Sequence, residues 1–305
     1  MTTLVLGHKS PDTDSTGSPI IWAWYLSRTG TPAKPVLLGQ PNTEAAFVLR
    51  HWGLDQPEII ADLTAEDEVV IVDTNNPAEL PDGIHQAKIK GIIDHHMLVG
   101  GLKTRAPIEI TIRPLACTAT ILHDLMGPAV ASAPTAIKGA MLSCILSDTL
   151  EFRSPTTTPH DRAVAESLAA DLGVSIPDLA AQQFAAKSDV SAFSDAALLR
   201  MDSKEYALAG KDLRISVLET TAPAVVLDRK ASLMRSMVDV AKADGADQVL
   251  LFVIDILREE ATLLVPNDLV RQMAEASFGV KVSGDTVVLP GIVSRKLQII
   301  PALKL

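Results

Sequence analysis

The sequence predicts an α/β protein of two domains: an N-terminal, mostly parallel sheet flanked by helices, followed by a smaller C-terminal α+β domain. Three observations predict it. Short β-branched runs alternate with helical patterns in the first part of the chain, small polar residues interrupt the pattern near position 190, and strands return beyond it. The chain has 305 residues and a mass of 32.5 kDa, enough for two ordinary cores.

Taken in order, Leu4 to Leu6, Pro35 to Leu38, Glu58 to Ile60, Val69 to Val72 and Lys90 to Ile93 read as strands. Between them, Pro19 to Ser27 and Thr43 to Trp52 read as helices, and this alternation is what parallel pairing requires, since each parallel neighbour needs a crossover. After Ile110 the reading is helical: Cys117 to Met126, Thr135 to Leu150, Pro159 to Leu172 and Ile176 to Lys187. The stretch "AKSDVSAFSD", Ala186 to Asp195, has the composition of a linker. It divides the chain into a domain at 1–187, a hinge at 188–192 and a second domain at 193–305. In the second domain Glu205 to Ala209, Leu213 to Glu219, Gln248 to Leu257 and Ala261 to Val265 read as strands, with helices at Ser232 to Ala243 and Asp268 to Phe278. No internal repeat or low-complexity segment breaks this plan.

Composition excludes several functions. Hydrophobic residues at 47% and charged residues at 21% describe a globular chain, not a disordered one. A net charge of -10 argues against a nucleic-acid partner, because binding along a phosphate backbone needs basic residues to release counterions. Cys117 and Cys144 are too few for a disulfide framework or a cysteine-rich zinc site, and read as buried thiols of a cytoplasmic protein. No leader-like segment and no membrane-length apolar run is seen.

The opening motif, "GHKSPDTDSTGS" at 7–18, places His8, Asp12 and Asp14 at the end of the first strand. An EF-hand reading fails because its bidentate acid would fall at Ala23, within "IIWAWYL". A P-loop fails because no glycine-rich run precedes Lys9-Ser10. Helix capping by Asp12 and Asp14 would explain this stretch alone. Yet "VVIVDTNN" ends another strand in Asp73, "IKGIIDHH" ends the next in Asp94, His95 and His96, and "LSCILSDTLEF" ends a helical run with Asp148. Parallel strands end side by side at the carboxyl edge, where such sheets bind ligands, so these clusters are expected to meet. Two carboxylates about 4 Å apart repel by roughly 4 kcal/mol at an effective dielectric near 20. Four of them together call for cations, and mixed histidine and carboxylate donors favour manganese or cobalt over magnesium. The pairs His123-Asp124 and His160-Asp161 lack partners and read as helix-surface or helix-start residues.

Together "GHKSPDTDS", "VDTNN", "IIDHH" and "SDT" resemble the metal-binding motifs of the DHH phosphoesterase superfamily, and within it the family II, manganese-dependent inorganic pyrophosphatases. "ACTATIL" at 116–122, "DSKEY" at 202–206 and "VSRKLQIIP" at 293–301 extend the likeness over nearly the whole chain. The resemblance implies two Mn2+ ions, with Co2+ or Mg2+ as substitutes, one held by His8, Asp12 and Asp73 and the other by Asp14, Asp73, His95 and Asp148. Asp73 would bridge them, Asp94 would orient ligand side chains, and His96 would face a phosphate. Lys204, Ser294, Arg295 and Lys296 would bind the substrate's oxygens, a charge logic that a pyrophosphate anion demands in any case. One departure stands out: Thr74 occupies the position after the bridging aspartate where members often have histidine.

The expected activity is hydrolysis of inorganic pyrophosphate to two phosphates, by a metal-bridging water or hydroxide at a site between the two domains. The resemblance further implies Mg2+ entering with the substrate and a homodimer formed through the first domain. One rival is a phosphodiesterase acting on short oligonucleotides or cyclic dinucleotides, but its usual glycine-rich GGGH-like motif is absent. The other, a catalytically silent metal or phosphate-binding regulator, is opposed by the intact ligand set.

Overall fold

Thr3–Leu6 (β1) is buried throughout and apolar from Leu4 on, as expected of a strand with both faces covered. In the computed structural model, which describes residues 2–304, it sits in the middle of a sheet. The elements that follow in the first unit are Thr13–Arg28 (α1), Ala33–Leu37 (β2), Thr43–Trp52 (α2), Glu58–Ile59 (β3), Glu68–Val72 (β4), Lys88–Asp94 (β5), Glu109–Ile112 (β6), Thr118–Met126 (α3), Thr135–Asp148 (α4), Pro159–Leu172 (α5) and Ile176–Lys187 (α6).

The sheet is parallel throughout, in the order β3-β2-β1-β4-β5-β6. Strand order reverses between β1 and β4, and the crevice outside the carboxyl ends at such a reversal is where open α/β sheets bind ligands. One face of the sheet carries a core that includes Leu6, Val36, Ile71, Leu80 and Ile84. On the helical side α4 is the hub, packing against α1, α2, α3, α5 and α6. It is buried nearly all round, from Gly139 to Ser147, so its sequence lacks a polar face.

Two differences from the sequence reading have simple causes. The first helix begins at Thr13, not Pro19, because Asp12 caps it: its Oδ1 accepts the Ser15 N–H at 3.0 Å, and the helix runs on through Pro19. Ahead of the helices expected from Cys117 stands an edge strand that the sequence reading left unassigned, β6, which pairs with β5 on one side only. Its short Glu-Ile-Thr-Ile alternation is too brief to register as a periodicity.

Chain contacts divide the protein into compact units of residues 1–187 and 188–305. The second unit contains Asp195–Met201 (α7), Ser203–Leu208 (β7), Lys211–Thr220 (β8), Pro223–Leu227 (α8), Lys230–Asp244 (α9), Gln248–Asp255 (β9), Glu260–Leu264 (β10), Asp268–Phe278 (α10), Thr286–Pro290 (β11) and Ile300–Ala302 (α11). Its sheet runs β11-β10-β9-β8-β7, with only β8 and β9 parallel, which makes it the expected α+β domain. All eight residues of β9 are buried, since α9 covers one face and α10 the other. Neither α7 nor β11 is signalled by the sequence pattern. The linker-like residues before α7 are tied down: Arg229 donates to the carbonyls of Val190 at 2.8 Å and Phe193 at 2.9 Å. No helix among the described residues is long and apolar enough to cross a membrane.

The hub helix sets a tight limit on packing. A Cβ added at Gly139 would lie 2.1 Å from the Trp52 ring, and that ring is held by its Nε1–H donating to Ser143 Oγ at 2.9 Å. Gly139→Ala is therefore expected to destabilise the protein by about 1–3 kcal/mol, despite the helix propensity gained. Urea unfolding followed by tryptophan fluorescence measures this. An unchanged or raised midpoint would contradict the close approach of α2 and α4.

Candidate metal centre

The site is built where β1, β4 and β5 end. Past β1 the chain passes so close to α1 that a Cβ on Gly7 would lie 2.1 Å from Ser15 Oγ, which is why glycine stands there. Ser15 Oγ accepts the backbone N–H of His8 at 2.8 Å and so fixes the histidine's place. The imidazole Nε2 of His8 lies 3.8 Å from Asp12 Oδ1 and 3.6 Å from Asp73 Oδ2. Asp14, in the first turn of α1, is buried and well supplied with donors. Its Oδ1 accepts the Ser18 hydroxyl at 2.6 Å, and its Oδ2 accepts the Thr118 N–H at 2.7 Å and the Cys117 thiol at 3.1 Å.

Asp73 follows β4 in a left-handed conformation, φ 62°, that few non-glycine residues adopt. Its N–H donates to the Ile93 carbonyl at 2.9 Å, which holds this conformation against β5. The two carboxylate oxygens of Asp73 face different histidines. Oδ2 is turned toward His8, and Oδ1 lies 3.4 Å from His95 Nε2 while accepting the Thr118 hydroxyl at 3.0 Å. The other ring nitrogen of His95 faces the Leu115 carbonyl at 3.2 Å. A carbonyl can only accept, so Nδ1 carries a proton and Nε2 is the nitrogen turned toward Asp73, the ring orientation a metal ligand needs.

Asp94 is differently placed. It has no exposed surface, and its Oδ1 accepts the N–H of His95 at 2.8 Å, the N–H of His96 at 3.1 Å and the Nδ1 of His96 at 2.9 Å. Asn75 donates to Oδ2 at 2.6 Å. Burial alone would raise its pKa, but the bonds from His96 and Asn75 hold the carboxyl below the usual range. Asp94 is thus an ionised clamp on Nδ1 of the half-exposed His96 ring.

Asp73 and Asp148 have the opposite character. Burial, and then the neighbouring Asp14 carboxylate, push both well above the ordinary carboxylate range. Burial and the same carboxylates also push the thiols of Cys117 and Cys144 up, which makes both inert as free thiols. Asp148 Oδ2 is buried without a hydrogen-bond partner. Among the described residues no lysine or arginine forms an ion pair with Asp12, Asp14, Asp73 or Asp148, and an orphaned buried carboxylate oxygen amid three other carboxylates is what a resident cation would satisfy. Three groups have donor atoms close enough for one ion: His8, Asp12 and Asp73; Asp14, Cys117 and Asp148; and Asp73, His95 and His96. Imidazole and carboxylate donors fit manganese.

Thr74 is buried and donates its hydroxyl to Glu79 at 2.6 Å, so that position supplies no ligand. The pairs read as lacking partners prove to have them. Asp124 accepts from Arg113 at 2.8 Å and faces His160 Nε2 at 2.8 Å. Asp161 does start a helix, but it is fully buried, completing a capping box with Thr158 and accepting Ala116 N–H at 3.1 Å and Thr120 Oγ1–H at 2.7 Å.

Within the second unit, Lys204, Ser294, Arg295 and Lys296 line one open cavity of about 480 Å³ together with Asp202 and Glu219. Ser294 caps a single π-turn, Arg295–Ile299, by accepting the Leu297 N–H at 3.2 Å. Arg295 is already engaged, donating to the Asp202 carbonyl at 2.8 Å and to its carboxylate at 2.7 Å, whereas Lys204 and Lys296 are exposed.

The chain matches the DHH family N-terminal domain over residues 2–148 and the DHHA2 domain over residues 181–305. It is 38% identical to a protein of Deinococcus radiodurans described as a "Probable manganese-dependent inorganic pyrophosphatase", covering 98% of this chain and 97% of that one. The chain belongs to the manganese-dependent inorganic pyrophosphatase family. A second member, from Methanocaldococcus jannaschii, is 34% identical over 98% of this chain and 97% of its own length. A crystal structure from Methanococcus jannaschii assigned to the family II inorganic pyrophosphatases superposes with a TM-score of 0.61 at 33% identity, covering 99% of this chain and 98% of that one. An exopolyphosphatase-related protein of Bacteroides fragilis shares the family's fold at 13% identity, with a TM-score of 0.52 over 98% of this chain and 89% of that one.

The raised carboxyls give the ion-free protein a definite pH response. An acid with a raised folded-state pKa stays protonated after the unfolded chain has released its proton, so its stabilising contribution is complete below about 3.8 and is lost as pH rises through the raised value. Chelator-treated protein should therefore lose thermal stability between mildly acidic and neutral pH relative to Asp148→Asn, which removes one of the repelling charges. At neutral pH without ions, calorimetry should find Asp148→Asn more stable than the wild type. If the variant is less stable under those conditions, the carboxylates are not in conflict.

Proposed function

We propose that this chain hydrolyses inorganic pyrophosphate to two phosphates with two divalent ions, manganese in the first place and cobalt or magnesium as substitutes. His8, Asp12 and Asp73 would hold one ion, and Asp14, Asp73, His95 and Asp148 the other. The observation that carries this reading is the Asp73 carboxylate, whose two oxygens face two different histidines across the end of β4. When bound, such ions withdraw charge from phosphate oxygens and bring the pKa of a coordinated water toward neutrality.

The remaining work falls to side chains. Asp94, held by Asn75, fixes the His96 ring through Nδ1 and so orients its other nitrogen, Nε2, for a phosphate oxygen. Lys204 and Lys296 offer exposed ammonium groups to the substrate, and Ser294 and Arg295 add donors in the same cavity. A further Mg2+ would arrive with the substrate and offset its charge. Cys117 and Cys144 take no part as nucleophiles, since burial keeps them protonated. We place the enzyme in the cytoplasm as a homodimer assembled through the first unit. Edge strand β6, with Ile110 53% exposed, supports that choice of surface.

The experiment is a phosphate-release assay with Mn2+. Pyrophosphate should be turned over and a cyclic or linear dinucleotide should not. Asp73→Asn, which removes the shared charge, should lower turnover by at least about a thousandfold. Cleavage of a dinucleotide without pyrophosphate turnover would favour the phosphodiesterase, and no turnover of either would favour a silent binding protein.

A further inference from the structure

We infer that Thr118 is a positioning residue of the metal centre: its hydroxyl sets the rotation of the Asp73 carboxylate while its backbone N–H anchors Asp14. The inference rests on the two-ion reading above. Thr118 is fully buried at the first position of α3, where helix geometry leaves backbone N–H groups without partners inside the helix. Its N–H donates to Asp14 Oδ2 at 2.7 Å, and its Oγ1–H donates to Asp73 Oδ1 at 3.0 Å. Among the described residues this is the one hydrogen bond that the Asp73 side chain accepts. The His8 and His95 ring nitrogens stand farther off, at 3.6 Å and 3.4 Å, and the neighbouring Asp14, Asp12 and Asp94 are carboxylates that repel it.

The rotation matters because Asp73 must offer one oxygen to each side. Rotation about its last side-chain torsion is soft, with broad preferences. A donor on Oδ1 occupies one lone-pair direction there and leaves the other free on the His95 side, while Oδ2 stays toward His8. Thr118 is itself held rigidly. Two positions before it the Ala116 N–H, and two positions after it the Thr120 hydroxyl, both donate to the buried carboxylate of Asp161 on α5, at 3.1 Å and 2.7 Å. A bonded chain thus runs from the start of α5 through the start of α3 to two aspartates assigned to the same ion. Bonds of this kind, one step removed from a metal, typically change affinity by about 10–100-fold when lost.

The test uses the full-length protein, stripped of metal with a chelator and titrated with Mn2+, free Mn2+ being followed by electron paramagnetic resonance. Thr118→Val keeps the shape and the N–H but removes the hydroxyl. Because Asp73 offers an oxygen to each side, Mn2+ affinity should weaken by about 10–100-fold, and Thr118→Ser should restore it. In parallel, the Mn2+ concentration for half-maximal activity should rise, with turnover at saturating Mn2+ largely retained. Unchanged affinity in Thr118→Val, or a Thr118→Ser variant as weak as valine, would each overturn the assignment. Fewer than two Mn2+ ions in the wild type would instead refute the two-ion reading. Should Thr118→Val not fold, Thr118→Ala carries the same expectation, and if neither folds with Mn2+ present, Thr118 is a packing residue and the inference falls.

Discussion

Mutual repulsion among four aspartates at the carboxyl edge of one sheet is the constraint on which the first unit depends. Asp12, Asp14, Asp73 and Asp148 meet where β1 and β4 end, and no lysine or arginine of the described residues neutralises them. Two ionised carboxylates about 4 Å apart repel by roughly 4 kcal/mol at an effective dielectric near 20, and here burial together with that repulsion lifts the Asp73 and Asp148 carboxyls. Several local features make sense only as ways of holding this arrangement. Gly7 lets β1 run against Ser15, Asp73 is held in a left-handed conformation, Asp12 is turned into a helix cap, and the start of α3 directs donors at Asp14 and Asp73. The conflict is an advantage for a metalloprotein. A site with unmet charge binds cations strongly, at the expense of the stability of the ion-free chain.

Charge is managed in a second way nearby. Asp94 is as buried as Asp73, yet its carboxyl is held low, because His96, His95 and Asn75 all donate to it. The same residue type at the ends of adjacent strands β4 and β5 thus has two environments: one starved of positive partners and one saturated with donors. That contrast separates groups suited to hold an ion from a group suited to orient its neighbours. Thr74 belongs to neither set, since its hydroxyl is spent on Glu79.

Much of this was legible in the sequence, for a physical reason. In a parallel sheet the residues just past a strand share one edge, so His8, Asp73 and the Asp94-His95-His96 run could be brought together from the strand pattern alone. Asp148 was harder, because it ends a helix and only the hub position of α4 delivers it to the same edge. Neutral donors left no signal. Thr118, Asn75 and Ser18 are ordinary in composition, and their importance appears only when the carboxylates they serve are located. The strand at 109–112 and the helix at 195–201 were hidden by their shortness, and the buried role of Asp161 by its resemblance to any capping residue. The α+β character of the second unit was readable from β8 and β9, whose apolar runs have no other explanation. The pairing of Arg295 with Asp202 was not.

The central claim is that the Asp73 carboxylate joins two ions, one toward His8 and one toward His95. Anomalous diffraction at the manganese edge, from crystals of the full chain grown with Mn2+, tests it most directly. The account requires two peaks flanking Asp73, one within bonding reach of His8 and Asp12 and the other of His95, Asp14 and Asp148. A single peak, or two peaks that do not share Asp73, would contradict it.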